Sequence, residues 1–199
     1  MTTVYIFRHG LTKEAELHLY CGKTDVPLSA KGIELLQKQK EAMPDLCGYS
    51  FYSSGMKRTD RTLEILYPNA VYKKEAALRE LDFGIFECHS YEELRDNCQY
   101  QMWISGCNEL NVCPGGESSL QMKDRVISFA KKILSGKEEE KRIAIFTHGG
   151  PVVALMQYFF PEEKKNFYEW RCGFGQGYKI QLDDRGASYT KLEFDKEIK

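Results

Sequence analysis

No charge of either sign dominates this 199-residue chain: 28 lysines and arginines face 29 aspartates and glutamates, for a formal net charge of −1. A bulk basic field suited to nucleic acid or an anionic membrane is therefore missing, although a local basic pocket is compatible with the total. No apolar run approaches the length of a membrane span. The first residues enter an apolar strand pattern directly, with no basic region or apolar signal core, so a cytoplasmic protein is expected. CxxC pairs are missing too, and with them the usual basis of a structural zinc site. The seven cysteines (Cys21, Cys47, Cys88, Cys98, Cys107, Cys113 and Cys172) are odd in number and scattered. That favours free thiols in a reducing compartment over a disulfide framework. Cys107 and Cys113 flank a loop and with His89 would make only a sparse ligand set, so no metal is expected. Linkers, repeats and low-complexity tracts are also absent. With 42% hydrophobic and 29% charged residues, the chain fits one domain over 1–199.

What is present is organised around residues 3–12, TVYIFRHGLT. Val4, Tyr5, Ile6 and Phe7 form a run apolar on both faces, as in a buried strand of a parallel sheet. The run stops at Arg8-His9-Gly10. Open α/β sheets place their ligands at such carboxyl ends. A guanidinium there offers a fixed fork of donors for anionic oxygens. Alone, this is a weak signal. It gains weight from RIAIFTHGG at 142–150, a second apolar strand ending in Thr147-His148-Gly149-Gly150. In a parallel sheet the two histidines would leave the same edge and face one pocket.

Between these strands the pattern alternates. Ser29 caps an amphipathic helix over 30–43 that Pro44 ends. Residues 49–53 read as a strand, and Ser54 as the cap of a helix through Leu66. A short strand at 70–73 follows. Ser90 opens a helical stretch to Trp103, then a loop over 106–116. Ser118 or Ser119 starts a long helix that Gly136 stops, and the charge run at 137–142 reads as a solvated turn. Pro151 suits the first turn of a buried helix. Residues 178–182 and 189–194 flank a turn at 183–186, a terminal hairpin. Alternating strands and helices predict an α/β fold, a mostly parallel sheet covered on both faces, with a lid-like insertion at about 84–117.

A neutral imidazole is a competent nucleophile toward phosphorus, and a protonated one can stabilise equatorial oxygens during in-line transfer. Arg58, in SSGMKRTDRT after the second strand, adds a permanent charge. Lys57 and Arg61 are alternatives, better read as a solvated face.

RHGLT at 8–12, SSGMKRTDRT at 53–62, LRELDFGIFE at 78–87, PGGES at 114–118 and FTHGG at 146–150 resemble, in order, the motifs of the histidine phosphatase superfamily. The resemblance covers nearly the whole chain. It implies a phosphoglycerate mutase-like three-layer α/β/α sandwich and a covalent phosphohistidine mechanism without a cofactor. His9 resembles the nucleophile, and Arg8, Arg58 and His148 the rest of the phosphate pocket. Glu80 matches the general acid and base, with Glu87 as a rival. The implied substrate-binding set is Arg8, Arg58, Gly22, Glu80, His148 and Gly149. His9 Nε2 would attack while its other nitrogen donates to a carbonyl. Glu80 would protonate the leaving oxygen and then activate water.

The chain departs from the family at Leu11, where many members have Glu, and at Ala15, where an asparagine is usual. Stretches 19–32 and 170–182 look most like α-ribazole phosphatases, with Tyr20 and Trp170 able to stack on a flat base. The expectation is a metal-independent phosphomonoesterase acting on a small molecule, as monomer or homodimer. The alternatives are a phosphoglycerate mutase or a non-catalytic phosphate-binding module.

Overall fold

The computed structural model describes residues 1–106, 109–135 and 140–194. Six strands form one sheet: β1 (Thr2–Arg8), β2 (Ser50–Ser53), β3 (Tyr72–Lys74), β4 (Lys141–Thr147), β5 (Gly177–Asp183) and β6 (Gly186–Leu192), in the order β3-β2-β4-β1-β5-β6. β3, β2, β4 and β1 run parallel, and β5 and β6 add the predicted antiparallel hairpin. The helices are α1 (Lys13–Glu16), α2 (Ala30–Gln39), α3 (Lys57–Leu66), α4 (Tyr91–Leu94), α5 (Cys98–Ile104), α6 (Ser119–Leu134), α7 (Gly149–Phe159) and α8 (Phe167–Trp170). None of these is long and apolar enough to cross a membrane.

Strand alternation sorts the core into two layers. Val4, Ile6, Ile143 and Ile145 face a cluster with Val126 of α6 and Val152 of α7. Tyr5, Phe7, Ala144 and Phe146 face the other way, onto Leu36 of α2 and Leu63 of α3. Phe7 and Phe146 stack with centroids 4.9 Å apart. The result is a three-layer α/β/α sandwich.

The caps follow local chemistry. Ser29, Ser90 and Ser118 each accept a backbone N–H from the first turn of their helix, the last two in capping boxes. Ser54 does not cap its helix. α3 begins after Met56, which makes no capping side-chain bond, and the Ser54 hydroxyl is used elsewhere. The helix expected from Ser90 to Trp103 is divided, because Asn97 accepts from the Gln99 and Tyr100 N–H groups and starts α5 afresh. α6 ends at Leu134, while Gly136, the first part of the charge run (137–139) and Cys107 lie outside the described residues; the end of that run is not a turn, because Lys141 and Arg142 already pair with β1 as the start of β4.

The stretch at 84–117 packs down on the sandwich. Phe86, Tyr100 and Cys113 are buried, and the Tyr20 and Tyr100 hydroxyls share a hydrogen bond of 2.6 Å. The loop read at 106–116 is tied at its far end, where Gly116 N–H donates to Cys113 O and Ile85 N–H to Pro114 O.

Gly32 lies in the first turn of α2, where a Cβ would stand 2.1 Å from the Leu11 carbonyl oxygen. At an open helical site Gly→Ala stabilises by about 1 kcal/mol. Here the obstacle is backbone, so Gly32→Ala is expected to destabilise by about 1–3 kcal/mol, the usual cost of overpacking. Urea unfolding checks this: the midpoint should fall with an unchanged m-value.

Candidate active site

Register builds the pocket. β1 and β4 are parallel neighbours with Arg8 opposite Thr147, so the next residues, His9 and His148, emerge side by side. Their ring centroids are 5.1 Å apart. On the other flank of β4, Ser53 pairs with Phe146, and the chain continues through Ser54 into α3. Arg58, on the first turns of α3, is 1% exposed.

His9 Nδ1 lies 2.7 Å from the Gly10 carbonyl. A carbonyl only accepts, so the proton is on Nδ1 and the Nε2 lone pair is free. Gly10 is fixed in turn, its N–H donating to Thr62 Oγ1, whose own proton goes to Arg58 O.

The tautomer of His148 follows from a chain of hydroxyls. Thr59 donates its one proton to Met56 O at 2.8 Å, so it must accept from Ser54 across their 2.7 Å contact. The Ser54 proton is then spent, and the 2.8 Å contact between Ser54 and His148 Nε2 is donated by the ring. His148 Nδ1 is left as an acceptor, and Arg58 Nε donates to it at 3.2 Å. Burial first, then the arginine charges, hold both imidazoles well below the ordinary histidine pKa. The ring of His148 is therefore neutral, with Nε2–H donating and Nδ1 accepting.

Arg58 is seated by the carbonyls of Gly22 and Thr24, at 2.7 and 2.8 Å. Arg8 donates from Nη1 to Cys172 O at 2.9 Å, and its Cζ stands 3.7 Å from the centre of the Phe174 ring. Burial lowers its pKa to about 10, which leaves it a cation at neutral pH. Its Nε is buried without a hydrogen-bond partner among the described residues. A buried donor left open is costly unless a ligand fills it.

The two carboxylates separate cleanly. Glu80 reaches the first turn of α7, where Gly150 N–H lies 3.2 and 3.1 Å from its two oxygens. A Cβ on Gly150 would stand 2.4 Å from Glu80 Oε1, and one on Gly149 3.6 Å from both Arg8 Nε and Glu80 Oε2. The glycine pair after His148 thus makes room for this carboxylate at the positive end of α7. Glu87 is occupied elsewhere. It accepts from the N–H groups of Gly22, Lys23, Thr24 and Phe83 and from the Thr24 hydroxyl. Loop 22–24 therefore turns its amides to Glu87 and its carbonyls to Arg58. Gly22, expected to bind substrate, has its N–H and carbonyl committed, and a Cβ there would overlap Leu81 O at 1.6 Å.

The site also holds residues that sequence reasoning passed over. Phe174, beside both Arg8 and His9 (ring centroids 5.6 Å apart for the latter), is the aromatic of the pocket. Trp170 is not; it is 1% exposed and packs on Phe160, Tyr178 and Tyr189. Tyr20 joins Phe83, Tyr100 and Trp103 in a cluster. Lys57 and Arg61 are exposed. Ala15 lies on α1, where its methyl group cannot replace an amide. Among the described residues no three His, Cys, Asp or Glu side chains gather as a metal-binding group.

The family model of the histidine phosphatase superfamily (branch 1) matches residues 4–195. The chain belongs to that superfamily. A Salmonella paratyphi C protein named "Probable phosphoglycerate mutase GpmB" is 32% identical over 132 residues, 63% of this chain and 60% of the relative. The match thus spans less than two thirds of that relative's length. YhfR of Bacillus stearothermophilus superposes with a TM-score of 0.78 at 23% identity, covering 98% of both chains. The alpha-ribazole phosphatase of Shigella flexneri does so with 0.77 at 20% identity, covering 99% of this chain and 98% of its own. Both are likenesses of fold.

In this member of the superfamily the unfolded chain takes up protons below about pH 6.5 that the two buried imidazoles refuse. Their contribution to stability is whole above that pH and is lost as pH falls through it. Denaturation midpoints should therefore drop between pH 7 and 5.5. Nitrogen-15 imidazole spectra at pH 6 should show His9 as the neutral Nδ1–H form and His148 as the neutral Nε2–H form. An imidazolium signal from either ring in the free enzyme contradicts the assignment.

Proposed function

We propose that the enzyme hydrolyses small phosphomonoesters, with no metal, through a phosphohistidine on His9. The observation that carries this reading is that one sheet edge brings together an unprotonated His9 Nε2, its tautomer set by the Gly10 carbonyl, and an Arg8 Nε without a hydrogen-bond partner among the described residues. A phosphoryl dianion fits the opening. Arg8 and Arg58 offset its charge, and the added negative charge would raise the basicity of His148, which would then take its proton from solvent. His9 then attacks phosphorus in line, and Glu80, at the mouth of α7, protonates the departing oxygen. The same carboxylate next takes a proton from water, whose oxygen attacks the phosphohistidine and frees phosphate.

Water as acceptor is supported by the modest span between LDFG at 81–84 and PGGES at 114–118, which leaves little chain to enclose the pocket. α-Ribazole 5'-phosphate, as in assembly of the cobalamin nucleotide loop, is the preferred substrate within this reading. Its support is the resemblance of 19–32 and 170–182, with Phe174 as the ring available to a flat base. A cytoplasmic setting fits the six cysteines among the described residues, all free thiols. The mutase named among the relatives supports a second reading, in which a substrate hydroxyl accepts the phosphoryl group.

Rapid quench with labelled p-nitrophenyl phosphate should trap acid-labile phosphate on the wild type, with turnover unaffected by EDTA. His9→Ala should abolish both label and turnover, and equal labelling of that variant would exclude His9 as the nucleophile. Supplied with 3-phosphoglycerate and catalytic 2,3-bisphosphoglycerate, the enzyme should release phosphate faster than it forms 2-phosphoglycerate. The reverse order selects the mutase. A panel of phosphomonoesters including α-ribazole 5'-phosphate should place that ester highest in kcat/KM.

A further inference from the structure

Glu80 lies on backbone with no ladder of its own. Residues 79–83 are in neither helix nor strand, yet a general acid must be held to a fraction of an ångström. The carbonyls before and at Glu80 account for the hold. Arg125 Nη1 donates to Ala77 O at 2.8 Å and to Arg79 O at 2.7 Å, and its Nη2 donates to Glu80 O at 2.9 Å. The Leu78 carbonyl between them accepts from Thr147 Oγ1 at 2.6 Å. Four consecutive carbonyls thus end on two side chains. Arg125 is itself aimed by Glu117, which accepts from Nε at 3.1 Å and from Nη2 at 2.5 Å. Glu117 also grips the far side of the acid, accepting from Asp82 N–H and donating its own N–H to Asp82 O. Arg125 is on α6, outside the phosphate pocket, and neither it nor Glu117 has a described contact with His9, Arg8 or Arg58.

We propose that Arg125 and Glu117 are positioning residues that fix the Glu80 carboxyl over the leaving oxygen, and that they contribute to the step Glu80 assists rather than to phosphate binding. The inference rests on the reading of Glu80 as general acid. A planar guanidinium can serve three carbonyls and a carboxylate at once, which an ammonium cannot. Arg125→Lys therefore keeps the charge and loses the grip.

The test compares an alkyl with an aryl phosphomonoester, because p-nitrophenolate leaves with little help and an alkoxide needs its proton. Arg125→Lys should lower kcat/KM for the alkyl ester by at least about tenfold and for the aryl ester by less than about threefold, the scale set by partial loss of acid catalysis. Inhibition by inorganic phosphate should be unchanged. In a Glu80→Gln background the same substitution should cost the alkyl ester little more. Glu117→Gln, which preserves shape, should shift the alkyl-to-aryl ratio in the same direction and serves if Arg125→Lys melts early. Equal losses on both esters, or a full multiplicative loss in the Glu80→Gln background, overturn the proposal. Glu80→Gln alone reports on the acid assignment: if it slows both esters equally, that reading fails independently of what Arg125→Lys does.

Discussion

Two guanidinium cations, Arg58 buried and Arg8 half-buried, set the terms for everything around them. A buried charge is costly unless it is met by oriented acceptors, so Arg58 is wrapped by the carbonyls of Gly22 and Thr24 and Arg8 by that of Cys172. The same two charges act on the histidines. Beside them an imidazolium would add like charge in a low-dielectric site, so His9 keeps its lone pair when the pocket is empty. The charges proposed to attract a phosphate therefore also leave His9 Nε2 unprotonated. Arg8 Nε, a buried donor without a hydrogen-bond partner among the described residues, is the visible cost of this arrangement.

The support for these cations comes from parts of the chain that look unremarkable in one dimension. Loop 22–24 has no regular structure, but its peptide groups are polarised in one direction, amides to Glu87 and carbonyls to Arg58. A carboxylate on one side of the loop thus reinforces the acceptors presented on the other. Glu87 thus helps to seat Arg58 indirectly, through the loop between them.

The sheet and both histidines were legible because their signals are local: apolar runs, strand ends and glycines that follow them. Three of the serine caps were legible for the same reason. Ser54 was not, since a serine after a strand looks like a cap whether its hydroxyl turns to the helix or, as here, to His148 and Thr59. Glu80 and Glu87 lie seven positions apart in one acidic-aromatic stretch, and only the approach of α7 to one and of loop 22–24 to the other separates them. Phe174 and Trp170 reverse the roles that aromatic size suggests. Trp170 carries too much apolar surface to leave outside the core, whereas Phe174 sits in a glycine-flanked turn that brings it to Arg8. The grip of Arg125 on Glu80 spans some forty-five residues and leaves no trace in composition or periodicity.

The strand order has a consequence for how the chain is made. β1 and β2 are not neighbours; β4 lies between them and pairs with both. Until residues 141–147 leave the ribosome, the two earlier strands have no hydrogen-bonding partner in common, and the apolar surface of β1 has no closed layer to cover it. β4 is thus a keystone inserted late into a gap, and most of the sheet's pairing is long-range in sequence, the topology associated with slow folding and with exposed strand edges along the way. For the growing polypeptide the vulnerable interval runs from the emergence of β1 to the arrival of β4. During that interval binding by a chaperone to the Val4–Phe7 run would protect the segment that later carries Arg8 and His9 to the sheet edge.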